Sequence, residues 1–371
     1  MKNFILIDHE PWTVRRKQLF YDLFEKANIP LKVWDLSQWL YPGFSNPDEL
    51  SEESYLTRIN SYEQYKKELN SIDPENAIII EEVFRKWENR LVYREVSKRN
   101  IKTIKIELYG NTALKESFLN KIKYIKAKDL WRIGKNKIKN VLLKSYNSFY
   151  RIKGPSEIYS SLALNRTKPF NHPDYEDYKF KIHKNLMGCD YIVFCDIYFP
   201  YHPDLKFFYG LKKLPSGRKY QQQMCRYFDT LETKYNMPVV IAAHPKSNYK
   251  EGTFGGRKII KYHTDDLVYN ASMVTMHICN SVSFSILGDK PIAFITTDDY
   301  YRVPNFERHF KNLAEIILGL KIYNIDHCKL TDIKFTKIDS IIRKEYIYNY
   351  LTTKETENKQ NYAIIRDLTR I

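Results

Sequence analysis

Four short apolar runs rich in β-branched residues punctuate the first third of the chain: Asn3 to Asp8, Leu31 to Leu36, Ala77 to Glu82 and Thr103 to Leu108. Each has the length and composition of a strand. Between them lie longer polar stretches with helical periodicity, Thr13 to Lys26 and Ser61 to Leu69 among them. Strand alternating with helix predicts a mostly parallel sheet. Turn chemistry then breaks the pattern at Gly154-Pro155 and along Asn165 to Pro173, marking a connection between domains. A second alternating unit follows. Its predicted strands are Asp190 to Asp196, Pro238 to Ala243, Lys258 to Tyr262, Met273 to Ile278 and Pro291 to Thr296, with helices over Gln221 to Tyr235 and Thr264 to Ala271. The expected fold class is therefore α/β, two Rossmann-like parallel-sheet domains with extra helices. The boundaries read as an N-terminal domain over 1–165, a linker over 166–185, a C-terminal domain over 186–345 and a helical tail over 346–371. The pattern leaves open whether the end of the chain returns to the first domain.

Composition narrows the class. The 371 residues are 43% hydrophobic and 15% aromatic, with 12 glycines, which excludes a disordered or collagen-like chain. No apolar stretch reaches 18 residues, and Asp8 halts the opening run before it has the length of a signal-peptide core, so a cytoplasmic protein is expected. The five cysteines are widely spaced and form no CxxC pair, the pattern of buried thiols. Sixty Lys+Arg against 44 Asp+Glu leave a net charge of +16. Such a surplus suits nucleic acid, an anionic membrane or an anionic small substrate, and also arises from a lysine-rich bias alone. It is densest from Asn120 to Lys153, where 11 basic residues meet one acid, Asp129. Apolar residues such as Trp131, Ile138, Val141 and Leu142 are interleaved there. A basic amphipathic helix of this kind either lies on an anionic membrane or covers a sheet.

Ligands of open parallel sheets bind beyond the carboxyl ends of the strands. In the second domain those positions hold His244-Pro245-Lys246-Ser247, His263-Thr264-Asp265-Asp266 and Asn280-Ser281-Val282-Ser283-Phe284-Ser285. Thr264 is a candidate helix N-cap and Ser281 to Ser285 opens another helix. Unpaired N–H groups, hydroxyls and the His244 imidazole would together hold a phosphate without a metal. A further cluster, Asp196, Tyr198, His202 and Asp204, follows the first strand of the same domain. His202 and Asp204 are candidates to bind an acceptor or a donor carboxylate. In the first domain Asp8, Glu81, Glu82 and Glu107 end strands, and Asp8 joins Tyr198, His202 and Asp204 as a candidate to bind the acceptor or sugar.

The arrangement resembles the C-terminal domain of the GT-B glycosyltransferases. It is closest in kind to the bacterial sialyltransferase-like groups and relatives that move nonulosonic acids (pseudaminic, legionaminic or sialic acid) or Kdo in capsule and lipopolysaccharide synthesis. His244-Pro245 looks like the family's HP motif at the nucleotide phosphate, and Ser281, Ser283 and Ser285 look like its serine motif. The likeness spans roughly residues 190 to 300 and reaches the first domain only by architecture. It implies two domains facing a cleft and an inverting, metal-independent transfer from a CMP-activated acidic sugar to a glycan or glycolipid acceptor. Enzyme and membrane would meet peripherally through 120–153. The family's acidic pair followed by glycine is missing. Glu107-Leu108-Tyr109-Gly110 is the nearest analogue, which makes Glu107 the candidate general base and Asp196 its rival.

No cofactor is implied, and GxGxxG and GxxxxGK[ST] are absent. Asp265-Asp266 and Asp298-Asp299 are adjacent acids rather than the Asp-x-Asp of a metal-dependent transferase, and no Cys/His ligand set stands out. Two other enzymes share the architecture: a CDP-polyol phosphotransferase and a nonhydrolysing sugar-nucleotide epimerase. A basic nucleic-acid-binding protein is the alternative from outside enzymes, though no RNP, helix-turn-helix or zinc-finger pattern occurs and no nucleic-acid partner is expected.

Overall fold

The computed structural model describes residues 2–108, 130–162 and 167–367, apart from the Arg132 side chain. Their strands form two sheets, and every strand pair is parallel. The described residues group into two compact units. One holds those of 2–108, 130–170 and 355–367, the other those of 171–354.

The first unit is built on seven strands: β1 (Asn3–Asp8), β2 (Leu31–Asp35), β3 (Leu56–Arg58), β4 (Ala77–Glu82), β5 (Lys102–Glu107), β6 (Glu157–Ser160) and β7 (Lys168–Pro169). Their spatial order is β3-β2-β1-β4-β5-β6-β7. Strands β1 and β4 are buried at nearly every position, as expected where helices cover both faces of a parallel sheet. Two helices, α1 (Tyr62–Asn70) and α2 (Arg90–Lys98), contribute Tyr65, Leu69, Val92, Tyr93 and Val96 to a core with Ile5, Ile7, Trp34 and Ile79. A helical run spans 14–26, with a π-helical turn at Lys17–Tyr21 and Thr13 capping its start through the Arg16 N–H.

The second unit carries β8 (Ile192–Cys195), β9 (Val239–Ala243), β10 (Ile259–Lys261), β11 (Met273–Met276), β12 (Ile292–Thr296) and β13 (Ile322–Asn324). Their order is β10-β9-β8-β11-β12-β13. In both units the strand sequence runs outward from the first strand, then returns and crosses to its other side. That is the doubly wound Rossmann topology, with its switch point between β1 and β4 in one sheet and between β8 and β11 in the other.

The strands that periodicity left unread, β3, β6, β7 and β13, are two to four residues long. Residues 166–185 hold regular structure among their described members, β7 and a helix, α4 (Pro173–Phe180). From residue 355 the chain rejoins the first unit, where its terminal helix Asn361–Arg366 packs on Asp22–Lys26. No helix among the described residues is long and apolar enough to cross a membrane.

Candidate active site

In the second unit the carboxyl ends of β8 and β9 are locked together by one carboxylate. Asp196, buried just past β8, accepts from the Tyr198 N–H (2.9 Å), from the Tyr249 hydroxyl (2.8 Å) and, more distantly, from the His244 N–H (3.4 Å). Burial pushes its pKa up to about 6 despite these donors. Beyond it the chain reverses at Tyr198, whose φ of 55° is unusual for a side chain of that size, and the Phe199–Pro200 peptide is cis. This turn carries His202 and Asp204 back against the β9 loop. The His202 and His244 rings stand edge to face, centroids 4.6 Å apart, and Lys246 Nζ pairs with Asp204 Oδ1 at 3.2 Å.

The imidazoles have defined tautomers. Nδ1 of His202 accepts the Asp204 N–H (3.2 Å), and Nδ1 of His244 accepts the Lys246 N–H (3.0 Å). In each neutral ring the proton therefore sits on Nε2. Two imidazoles and an ammonium paired with Asp204 are thus gathered at two neighbouring strand ends, groups of the kind that bind an anionic oxygen.

The remaining residues of the expected phosphate cradle are placed differently. Strand β8 lies between β9 and β11, so 244–247 and 280–285 are not on neighbouring strand ends. Pro245 is half-buried in the turn after β9, and Ser247 is buried, its N–H on the His244 carbonyl and its own carbonyl taking Lys261 Nζ. Thr264 is the first residue of its helix and not the cap, a position held by His263. That helix, Thr264–Asn270, is two turns long and opens with two buried acids, Asp265 and Asp266, which oppose a phosphate there. Ser281 stands at the N-cap position of Val282–Leu287 without a side-chain capping bond, Asn280 is exposed, and Ser283 and Ser285 are fully buried. The Ser283 hydroxyl donates to the Asn280 carbonyl (2.6 Å), and Ser285 Oγ has no hydrogen-bond partner. A serine at every second position of a six-residue helix cannot keep all its hydroxyls on one exposed edge.

His277, past β11, is a core residue. It accepts from the Tyr220 hydroxyl at Nε2 (2.8 Å), bonds the Ile295 carbonyl through Nδ1 (2.8 Å) and stacks on Tyr300. Burial lowers its pKa to about 4.

The first unit has its own charged centre. Register aligns Asp35, Asp8 and Glu82 side by side at the ends of β2, β1 and β4. Arg16 relieves the crowding with a hydrogen bond from Nε to Asp8 (2.7 Å) and another from its NH2 group to Glu82 (3.2 Å), while Arg58 reaches Asp35 (3.2 Å). Burial still raises Asp8 to about 6 and Glu82 to about 7, Arg16 pulling the other way. His9 contacts the Glu82 carbonyl through Nδ1 and is driven down to about 4 by burial. Asp8 is fully enclosed by these contacts, whereas Glu82 keeps partial access to solvent. Glu81 is buried and held by Arg85. Glu107 lies two strands from β1, paired with Lys105 (2.8 Å); Tyr109 and Gly110 lie outside the described residues. The sequence reading missed Tyr249, His9 and Arg16. Arg16 is one of two adjacent arginines in a helical stretch, and only the register of β1 with β4 shows why it is needed.

No family model matches the chain, and no curated protein matches it. Among solved structures it is similar to UDP-GlcNAc 2-epimerase from Methanocaldococcus jannaschii (11% identity, all of both chains, TM-score 0.47). It is similar also to MurG from Acinetobacter baumannii (8%, 100% of this chain and 99% of that one, 0.43) and to the wall teichoic acid polymerase TagF, H444N variant (11%, 100% and 88%, 0.49). All three scores lie below 0.5, so the strand order of the two sheets, and not these likenesses, carries the fold.

Proposed function

We propose that this chain is an inverting glycosyltransferase of the two-domain GT-B kind. It would take an acidic sugar of the nonulosonic type from a CMP donor to a glycan or glycolipid acceptor, with no metal in the transfer step. The observation that supports this most is the His202, His244 and Lys246 group, held on Asp196 at the carboxyl ends of β8 and β9, the edge of an open parallel sheet at which ligands bind. As the anomeric bond breaks, charge develops on the leaving phosphate, and imidazole N–H and ammonium donors stabilise it. Asp196 positions the two loops, since its oxygens are taken up by Tyr249, Tyr198 and His244. The acceptor hydroxyl must lose its proton to a base. Glu82, partly accessible with a pKa of about 7, fits that role better than Glu107.

Membrane contact belongs to the same proposal. In the first unit the helix α3 (Leu130–Phe149) turns Tyr146 against Trp87 and Arg90. At about 100° per residue, Trp131, Ile138, Leu142 and Phe149 fall within about 20° of one line along its outer side. All four are exposed, Trp131 by 83% and Phe149 by 79%. Lys135, Lys137 and Lys144 are exposed on the same helix. Apolar insertion flanked by lysines matches an anionic lipid surface. The portion from 120 to 129 lies outside the described residues.

A second reading, a CDP-polyol phosphotransferase, is favoured by one observation: two imidazoles 4.6 Å apart suit proton transfer around a phosphorus centre. Isothermal titration with CMP, CDP, UDP and GDP separates the readings. CMP binding that is lost in His244→Ala supports the sialyltransferase-like proposal, CDP alone supports the phosphotransferase, and UDP alone rejects both.

A further inference from the structure

The charged residues at the end of β10 are not used by the chemistry above. Asp265 and Asp266 open the helix Thr264–Asn270 with their carboxylates buried, and the segment following α4 folds over them. From that segment come Lys181, whose ammonium contacts Asp265, the Lys184 N–H, which donates to Asp266 Oδ1 (3.0 Å), and His183. His183 Nδ1 lies 3.5 Å from Asp265 Oδ2 and 3.4 Å from Asp266 Oδ1. Both its ring nitrogens are shielded from water and neither makes a hydrogen bond; the Tyr269 ring lies 4.3 Å away on one side. His263 Nδ1 holds the other oxygen of Asp266 at 3.0 Å.

We propose that His183, Asp265 and Asp266 form a zinc site. Three potential ligand atoms lie within 4.8 Å of one another. Metal–ligand bonds of about 2.0–2.1 Å in a tetrahedron separate neighbouring ligand atoms by about 3.3 Å, close to the two spacings around His183. The two distances from His183 thus fit ligands of one ion. One nitrogen and two carboxylate oxygens suit zinc better than calcium or magnesium, which favour all-oxygen shells. The two carboxylates outnumber the single Lys181 ammonium that pairs with them, which favours a cation. Lys181 is a competitor on a flexible stem, with 41% of its side chain exposed, and swings out when the ion enters. His263 orients Asp266 from behind. The ion would pin the 181–184 segment to the start of the helix, a structural role that leaves the proposed transfer step metal-free.

The test is calorimetric titration of the full chain, stripped with EDTA and returned to chelator-free buffer, with zinc chloride. Cobalt chloride then reports coordination through its visible absorption. One equivalent of zinc is expected, with an intense tetrahedral cobalt spectrum. His183→Gln, checked for folding by circular dichroism, weakens zinc by about tenfold or more. Lys181→Met, which removes the competing ammonium, tightens it. No stoichiometric uptake, a pale octahedral cobalt spectrum, uptake that survives His183→Gln in full, or weakening by Lys181→Met each overturns the site. None of these results depends on the nucleotide or on transfer activity, so the site can fail while the enzymatic reading stands.

Discussion

His277 should make the second unit acid-sensitive by an amount that can be worked out. Its ring is wholly buried, neutral and bonded at both nitrogens, and its pKa is lowered to about 4 from an ordinary 6.5. A depressed pKa means that the unfolded chain takes up a proton the folded chain refuses. The stability lent by the neutral ring is complete above about pH 6.5 and is lost as the pH falls toward 4. Linkage gives a loss of about 2 kcal/mol between pH 7 and pH 5, growing to about 3 kcal/mol at pH 4. Asp8 and Glu82, raised to about 6 and about 7, contribute in the opposite sense, their stabilisation being lost as the pH rises through those values. They sit in the other unit and are common to wild type and variant. Urea denaturation of wild type and His277→Gln at half-unit steps from pH 7.5 to 4.5 therefore isolates the imidazole. The wild type should lose its advantage over the variant with a slope approaching one proton. A constant difference across that range, or an imidazole titrating near 6.5 by NMR, would refute the reasoning.

Other outcomes follow from the two charged centres and the exposed helix. Arg16→Met leaves Asp8 and Glu82 without their shared cation and should cost about 3 kcal/mol at pH 8, shrinking toward pH 5 as both acids protonate, measured by chemical denaturation. Asp196→Asn removes one acceptor from the clamp between the β8 and β9 loops; a loss of about 1–3 kcal/mol and weaker nucleotide binding are expected, read by thermal melting and titration. Glu82→Gln should abolish the acidic limb of the pH–rate profile while nucleotide affinity holds, and Glu107→Gln should leave that limb in place. Replacing Trp131 and Leu142 by Glu should release the chain from phosphatidylglycerol vesicles in a flotation assay; unchanged flotation would remove the lipid role.

Much of the architecture was legible because fully covered parallel strands are nearly continuous apolar runs. Asn3–Asp8, Ala77–Glu82 and Val239–Ala243 stand out without any knowledge of their neighbours. Leu56–Arg58 and Ile322–Asn324 do not, since three residues at a sheet edge carry no period. The site was legible in pieces. His244 and the Asp196 to Asp204 loop were each noticed, but their union depends on β8 and β9 being neighbours, which only pairing reveals. The same strand order puts β8 between His244 and the serines after β11, and helical geometry turned Ser283 and Ser285 inward. Arg16 and Tyr249 carry no local signal; each matters because of a carboxylate far away in the chain, Glu82 for the one and Asp196 for the other.

The terminal helix Asn361–Arg366, lying on Asp22–Lys26, bears on how the protein matures. A ribosome delivers residues 171–354 in full before it delivers the piece that completes the first unit. The face of Asp22–Lys26 must therefore wait uncovered until residues 361–366 have been made, and a chain cut after residue 354 would keep residues 171–354 while leaving the first unit without that covering helix.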